Sequence, residues 1–121
     1  MTRHNFKKLK IWVESIQLVR LSYKLTATFP ETERYNLISQ MNRSAVSISS
    51  NIAEGSSKST DRHFKKYLEN SLGSAFEWET QLIVSYNENF VNKEIFEELE
   101  DKILQIQKML GSFIDKLEKQ S

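Results

Sequence analysis

The sequence contains no cysteine, one proline and three glycines among its 121 residues. Without cysteine, the chain cannot form a disulfide framework or a zinc site built on thiolates. The scarcity of proline and glycine excludes collagen-like and low-complexity chains. No run approaches the roughly 18 uninterrupted apolar residues of a membrane span, and the first residues lack the apolar segment of a secretory signal. We therefore expect a soluble cytoplasmic protein with no membrane partner.

An excess of charge of one sign is also missing, because 17 Lys and Arg face 16 Asp and Glu and leave a net charge of +1. Overall charge therefore indicates no class of partner. Hydrophobic residues make up 39% of the chain and charged residues 27%. This balance is typical of a folded protein, and the length favours a single domain over residues 1–121.

The few residues that break helices divide the chain into four segments. Pro30 ends the first segment, since the residue before a proline is disfavoured in the α region, and Gly55 ends the second. Thr60 or Ser59 can cap the third segment, and Asn92 can cap the fourth. This spacing predicts helices near residues 6–28, 31–54, 60–88 and 92–119.

Apolar residues recur at the helical period in these segments. The stripe of the third segment contains Phe64, Leu68, Leu72, Ala75, Leu82, Ile83 and Tyr86. The stripe of the fourth contains Ile95, Leu99, Ile103, Ile106, Leu110, Phe113 and Leu117. Because short loops make consecutive helices neighbours, the pattern predicts an all-α protein folded as an antiparallel up-down-up-down four-helix bundle.

Helix 1 carries apolar residues on two opposite sides. One side contains Leu9, Trp12, Val13, Ile16, Val19, Tyr23 and Ala27. The other side contains Ile11, Leu18, Leu21 and Leu25. Since a helix that is apolar on two faces is normally covered on both, we expect the second side to form an interface between copies of the chain. The alternative is that helix 1 lies centrally across the bundle or simply has an apolar surface.

Helix 2 has a polar edge beside its apolar stripe. The edge consists of Gln40, Ser44, Ser47, Asn51 and Glu54, at spacings of four, three, four and three. Small polar residues allow another backbone to approach and can hydrogen-bond across the contact. The edge is therefore either a polar seam at an interface or ligand site, or a solvated helix face.

Glu79 is the unusual residue of helix 3, because it projects among the leucines of the core stripe. A buried carboxylate must be paired, hydrogen-bonded or protonated. Positions along the bundle place Arg20, Tyr23, Tyr35 and Lys102 within its reach. We interpret Glu79 as a buried structural acid, with a catalytic acid as the alternative.

Motifs of enzymes are otherwise missing. The two histidines, His4 and His63, do not lie in a Glu-x-x-His pair of the type that builds di-iron bundles. The chain has no glycine-rich phosphate loop, nucleophile elbow or zinc-ligand spacing. We therefore predict a protein that is not an enzyme and requires no metal or other cofactor.

Charge is unevenly distributed between the two ends of the predicted bundle. The end that holds the starts of helices 1 and 3 contains eleven Lys and Arg against six Asp and Glu, a net charge of +5, and the other end has −4. The candidate nucleic-acid-binding residues at this basic end are Arg3, Lys7, Lys8, Lys10, Lys58, Arg62, Lys65 and Lys66. The positive dipole ends of two helices add to this field, which favours phosphate binding. Alternatively, the polarity only aids solubility and the orientation of subunits.

Several motifs resemble a known family. They include Phe29-Pro30-Glu31-x-Glu33-Arg34, Arg43-x-Ala45-Val46-Ser47-Ile48, Asn51-Ile52-Ala53-Glu54-Gly55 and Glu79-Thr80-Gln81-Leu82. Over nearly its whole length the chain is similar to the four-helix-bundle proteins encoded in 23S rRNA intervening sequences. The resemblance implies a small bacterial, non-enzymatic bundle that assembles with itself as a pentamer. Relatives include the accessory protein of diversity-generating retroelements, which implies RNA or a nucleoprotein as the partner. A protein-only interaction module is the alternative.

Overall fold

A computed structural model of the chain describes residues 5–120. Within these residues there are four α-helices and no β-strand. The helices are α1 (Lys10–Thr26), α2 (Ser39–Ser56), α3 (Asp61–Asn87) and α4 (Lys93–Gln120). The predicted all-α class with four helices is confirmed.

Two of the helices begin later than the sequence pattern predicts. A 3₁₀ turn at Phe6–Lys8 precedes α1. Leu9, between the turn and the helix, is extended, with φ −73° and ψ 125°, and α1 therefore begins only at Lys10. Before α2, the chain forms a 3₁₀ turn at Glu31–Glu33 and a π-helical turn at Arg34–Ile38. Apolar periodicity does not separate such tighter and wider turns from an α-helix, so it predicts helix starts that are too early.

Side-chain caps fix the starts of the two long helices. Thr60 Oγ1 accepts a hydrogen bond from the backbone N–H of His63, in the first turn of α3, at 3.2 Å. Asn92 Oδ1 accepts one from the N–H of Ile95 at 2.8 Å at the start of α4. Each bond satisfies a backbone donor that has no partner within its own helix. Both predicted caps are confirmed.

The four helices pack as a bundle around one apolar core. Helix α1 packs against α2 and α4, and α3 packs against the same two helices, so α1 and α3 occupy diagonal corners. The contact between α1 and α4 is the least extensive of these four. The largest fully buried side chains are Trp78, Phe64, Leu18, Met41, Ile48, Ile52, Leu68, Leu82, Ile103, Ile106 and Leu110. Most of the predicted stripes of helices 3 and 4 are thus in the core, but Ile83 and Ile95 are exposed.

The side of α1 that faces the core is the one opposite to the side predicted from the sequence. Ile11, Leu18 and Leu25 are buried within the chain, so the prediction that they lie at an interface between copies is wrong. Leu21 is half-buried and packs against the core. The buried side of α1 also contains Ser15 and Ser22, which lowered its apparent hydrophobicity in the sequence. Small side chains with satisfied hydroxyls are suited to a helix contact, and Ser15 Oγ donates to the carbonyl of Trp12 at 2.7 Å.

Helices α2 and α3 approach closely at Gly55. A Cβ atom at this position would lie 2.7 Å from Tyr67 Cβ and 2.9 Å from Phe64 Cδ1. Gly55 is therefore required by the helix contact rather than by the end of a helix, because α2 continues to Ser56. The sequence prediction of Gly55 as the residue after helix 2 is corrected accordingly.

Candidate functional site

The described basic residues named from the sequence lie beside the start of α1, just after α2 and in the first turns of α3. Lys65 Nζ is 3.5 Å from Glu118 Oε1, which brings the first turns of α3 to the last turns of α4. Lys10 of α1 and Lys116 of α4 line the same cleft. Lys7 and Lys8 precede α1 in the 3₁₀ turn, which contacts α2. Arg3 lies outside the described residues.

These basic side chains are not equally available. The exposed members are Lys7, Lys8, Lys10, Arg62 and Lys66. Lys65 is half-buried in its ion pair with Glu118, and Lys58 Nζ lies 5.0 Å from the centroid of the Tyr67 ring. A cation over an aromatic face is held by the ring quadrupole. The exposed five are thus the cations best placed to contact an anionic partner.

An open cleft of about 560 Å³ lies between α1 and α4 at the same end. Its lining combines the apolar side chains of Ile11, Met109 and Phe113 with the lysines Lys10, Lys108 and Lys116. Lys108 and Lys116 belong to the eleven basic residues that the sequence assigns to this end, although not to the eight candidate nucleic-acid-binding residues. Their spacing of eight residues, about two helical turns, is the signal that places both on one face of α4.

The first turns of α3 form a second basic surface. Arg62, His63, Lys65 and Lys66 line a shallow groove there together with Glu69. The His63 ring is oriented by the capping residue, because its Nδ1 lies 2.9 Å from Thr60 Oγ1. The helix dipole adds partial positive charge at this point. Positive charge in the groove therefore comes from both its side chains and its backbone.

Glu79 is half-buried, which corrects the prediction of a buried acid. Its Oε1 accepts a hydrogen bond from Gln107 Nε2 at 2.8 Å. Burial raises the pKa of the Glu100 carboxyl above its ordinary value of 4.5, and the charge of Glu79, the hydrogen bond to Glu79 and the charge of Asp101 raise this pKa further. The site is a carboxyl pair across the α3–α4 contact.

None of the four partners expected for Glu79 is among these contacts. Lys102 instead bridges α4 to α1, since its Nζ lies 2.8 Å from both Glu14 Oε2 and Gln17 Oε1. Arg20, Tyr23 and Tyr35 are exposed. The core position predicted for Glu79 belongs to the neighbouring residue Trp78, whose side chain is fully buried. The large indole fills the space near the bundle axis, and the carboxylate is displaced toward the edge of the helix contact.

The polar edge of α2 is mostly a contact between helices of the same chain. Ser44 Oγ donates to Gln81 Oε1 at 2.7 Å, and the hydroxyls of Ser47 and Ser74 are 2.9 Å apart. Asn51 Nδ2 donates to the Ser47 carbonyl at 2.8 Å. The remaining two members of the edge, Gln40 and Glu54, are exposed. Part of the edge is therefore a contact within the chain, which neither reading described, and Gln40 and Glu54 lie on a solvated face.

Two outer faces of the bundle carry exposed apolar side chains. The α1–α2 face contains Val13, Ile16, Arg20, Tyr23, Arg43 and Val46, all exposed. The α3–α4 face contains Phe76, Glu79, Ile83, Glu100 and Leu104. Its three apolar members are exposed, and Phe76 is 53% accessible. Helix 1 is thus apolar on two sides as predicted, with the exposed side opposite to the one expected.

Two further properties of the described chain bear on its class. No helix in residues 5–120 combines the length and apolar character needed to cross a bilayer. Nor do those residues bring three or more His, Asp and Glu side chains together in a group able to hold a metal ion.

The fold and its surfaces define a small helical-bundle protein with a basic end and two apolar outer faces. The family of 23S rRNA-intervening sequence proteins matches residues 7–112. This match covers most of the chain, and the chain belongs to that family. The resemblance stated from the sequence motifs is confirmed.

A solved structure has a similar fold. It is the crystal structure of a protein with unknown function from the S23 ribosomal protein family of Bacteroides thetaiotaomicron. The two share 24% sequence identity with a TM-score of 0.78, and the match covers 86% of this chain and 97% of that chain. At this identity the likeness supports the fold alone. Among curated proteins, none matches the chain.

Proposed function

We propose that this protein is a non-catalytic, oligomeric binding protein that acts in the cytoplasm and binds RNA, free or in a nucleoprotein, through its basic end. The observation that carries the proposal is the convergence of exposed cations from separate segments of the chain. Lys7, Lys8 and Lys10 approach from the start of α1, and Arg62 and Lys66 from the start of α3. Lysine and arginine side chains bind phosphates chiefly by charge, without reading the base sequence.

Assembly with itself is the second part of the proposal. The exposed apolar side chains of the α1–α2 and α3–α4 faces support it, because clusters of such residues on a small protein usually mark a contact surface. The family resemblance implies five copies. Repeating the basic end around an axis would let one RNA contact several copies and raise the effective affinity.

We further propose the antiparallel up-down-up-down topology for the bundle. The order of the contacts supports it, since Ser44 lies against Gln81 while Ile48, further along α2, accepts a hydrogen bond from Ser71, earlier in α3. Opposite orders of this kind belong to neighbouring helices that run in opposite directions. In this topology the starts of α1 and α3 share one end, which concentrates the lysines there.

Fluorescence anisotropy with a labelled single-stranded RNA tests the RNA-binding part. For five phosphate contacts, affinity should fall about a hundredfold between 50 and 200 mM salt. The variant Lys7→Glu/Arg62→Glu/Lys66→Glu should lose binding at 50 mM salt. The matched control Lys24→Glu/Arg34→Glu/Lys93→Glu makes the same change in net charge away from the basic end, and should retain binding within a few fold.

A protein-only interaction module is the second candidate function. The observation that favours it is the near balance of charges, since the whole chain carries a net charge of only +1. In that case the basic end would orient subunits or meet an acidic protein surface. Absence of RNA and DNA binding at 50 mM salt would establish this candidate over the first.

A further inference from the structure

The α3–α4 face has a carboxyl pair at its centre. Glu79 of α3 and Glu100 of α4 are both half-buried there, and Gln107 Nε2 donates a hydrogen bond to Glu79 Oε1 at 2.8 Å. None of the ion pairs formed within residues 5–120 includes Glu79 or Glu100. Within the described part of the chain, the pair therefore has no cationic partner.

Exposed apolar side chains surround this carboxyl pair. Phe76 lies three residues before Glu79 on α3 and Ile83 four residues after it, so all three share one side of the helix. Leu104 lies four residues after Glu100 on α4 and is placed in the same way. Phe76, Ile83 and Leu104 are 53%, 39% and 41% exposed. An apolar surface around uncompensated acids is suited to a partner that is apolar and basic.

The α1–α2 face has these complementary properties. On α1, Val13, Ile16, Arg20 and Tyr23 follow one another at spacings of three, four and three residues and share one side of the helix. On α2, Arg43 and Val46 are exposed and lie next to Asn42, whose Oδ1 accepts a hydrogen bond from Ser22 of α1 at 2.9 Å.

Both arginines of this face are available to a partner. Arg20 and Arg43 take part in none of the ion pairs of residues 5–120. An arginine beside apolar side chains is well suited to bind a carboxylate when another surface covers both. The α1–α2 face thus offers the cations that the α3–α4 face lacks.

The two faces lie on opposite sides of the molecule, because α1 and α3 occupy diagonal corners of the bundle. Pairing of either face with its own copy would bring like charges together, arginines on the α1–α2 face and carboxylates on the α3–α4 face, so each face fits the other better than itself. A contact between two different faces is heterologous, and repeated copies then close into a ring or continue as a filament. The occupant of each face that fits both charge and composition is a second copy of this chain.

We propose that the α1–α2 face of one copy docks on the α3–α4 face of the next, with Arg20 and Arg43 placed over the Glu79–Glu100 pair. Phe76, Ile83 and Leu104 then pack against Val13, Ile16 and Val46 of the neighbouring copy. This inference rests on the proposed self-assembly and specifies which surfaces perform it. It gives the assembly a direction, whether the copies close into a ring or continue as a filament.

Size-exclusion chromatography with light scattering tests the interface. The wild-type chain should give a multiple of the single-chain mass, while Arg20→Glu/Arg43→Glu and Glu79→Lys/Glu100→Lys should each give single chains. Combining all four substitutions exchanges the charges of the two faces and should restore the assembly. Rescue by the four-fold variant separates a lost contact from a misfolded chain, and far-UV circular dichroism should be unchanged throughout. The control Arg34→Glu/Lys93→Glu should leave the mass unchanged.

The outcomes distinguish this interface from self-assembly in general. A wild-type chain that is monomeric at all concentrations overturns the proposed assembly and this inference together. An oligomer whose mass is unaffected by both double variants overturns the interface alone and leaves self-assembly in place. An oligomer that both double variants dissociate, but that the four-fold variant does not restore, also contradicts the charge pairing. RNA binding is measured separately and decides neither question.

Discussion

The indole Nε1 of Trp78 donates a hydrogen bond to Ser22 Oγ at 3.0 Å and so connects α3 with α1 across the diagonal of the bundle. Ser22 Oγ in turn donates to Asn42 Oδ1 of α2 at 2.9 Å, and Asn42 Nδ2 donates to Thr26 Oγ1 at 3.0 Å. This network joins three helices, and both Trp78 and Ser22 are fully buried. Every buried side-chain polar atom in residues 5–120 has a partner.

We expect Ser22→Ala to destabilise the protein by about 1–3 kcal/mol, because it leaves the buried indole N–H without an acceptor. The free energy of unfolding from urea denaturation measures the effect. Ser50→Ala removes a hydroxyl from an exposed position of α2 and should change stability by less than about 0.5 kcal/mol. Equal stabilities for the two variants would contradict the role of the network.

Gly55→Ala should destabilise the protein by about 1–3 kcal/mol, since the added Cβ meets Tyr67 Cβ and forces α2 and α3 apart. Gly73→Ala is the matched control, because a Cβ there meets no atom within 4 Å. That substitution should stabilise α3 by about 0.5–1 kcal/mol through its helix propensity. Thermal unfolding of both variants checks the opposite signs, and a stabilising Gly55→Ala would show that the close approach is absent.

Leu18→Ala should destabilise the protein by about 2–5 kcal/mol, because Leu18 is fully buried and its truncation leaves a cavity. Ile95→Ala, at a position that is 40% exposed, should lose less than about 1 kcal/mol. Guanidinium denaturation measures both. A small loss at Leu18 would indicate that this side of α1 is not in the core.

The stability of the dissociated chain should depend on pH through Glu100. Its pKa is raised by folding, so the folded state binds this proton more tightly than the unfolded state. The contribution to stability is therefore full below the ordinary pKa of 4.5 and is lost as pH rises through the raised value. Glu100→Gln keeps a hydrogen-bond donor toward Glu79 and should raise the free energy of unfolding at pH 7 but not at pH 4.

This measurement is best made in the Arg20→Glu/Arg43→Glu chain, where we expect no neighbouring copy to cover the carboxyl pair. Asp115→Asn removes a carboxylate from an exposed position of the same helix and should give no comparable gain at pH 7. If Glu100→Gln lowers stability at pH 7 to the same extent as at pH 4, the carboxyl pair does not carry the effect.

The sequence predicts the number of helices, the caps and much of the core because each depends on local patterns. Thr60 and Asn92 are capping residues before apolar stripes, and the stripe that includes Ile103, Ile106 and Leu110 is buried as expected. These features depend on side-chain chemistry within one segment. Tertiary packing does not override them.

The orientation of α1 and the place of Glu79 depend on packing between segments, and the sequence alone predicts both wrongly. Hydropathy favours the side of α1 with more apolar residues, whereas the core requires the small hydroxyl of Ser22 beneath the Trp78 indole. In the same way, the position of Trp78 in the core moves Glu79 to the α3–α4 contact. The sequence reveals the short loops between the helices, which are the basis for expecting the basic residues at one end. The pairing of Lys65 with Glu118 is visible only in the structure.

The limited packing of α1 against α4 has a consequence for how the protein opens. On that side, Lys102 reaches across to Glu14 and Gln17, beside a cleft whose walls are the two helices. The segment with the fewest apolar contacts is generally the first to detach in local unfolding. Backbone amides of α1 should therefore exchange with deuterium ahead of those in α2 and α3, and each opening would carry Lys10 and Arg20 away from the body of the molecule together.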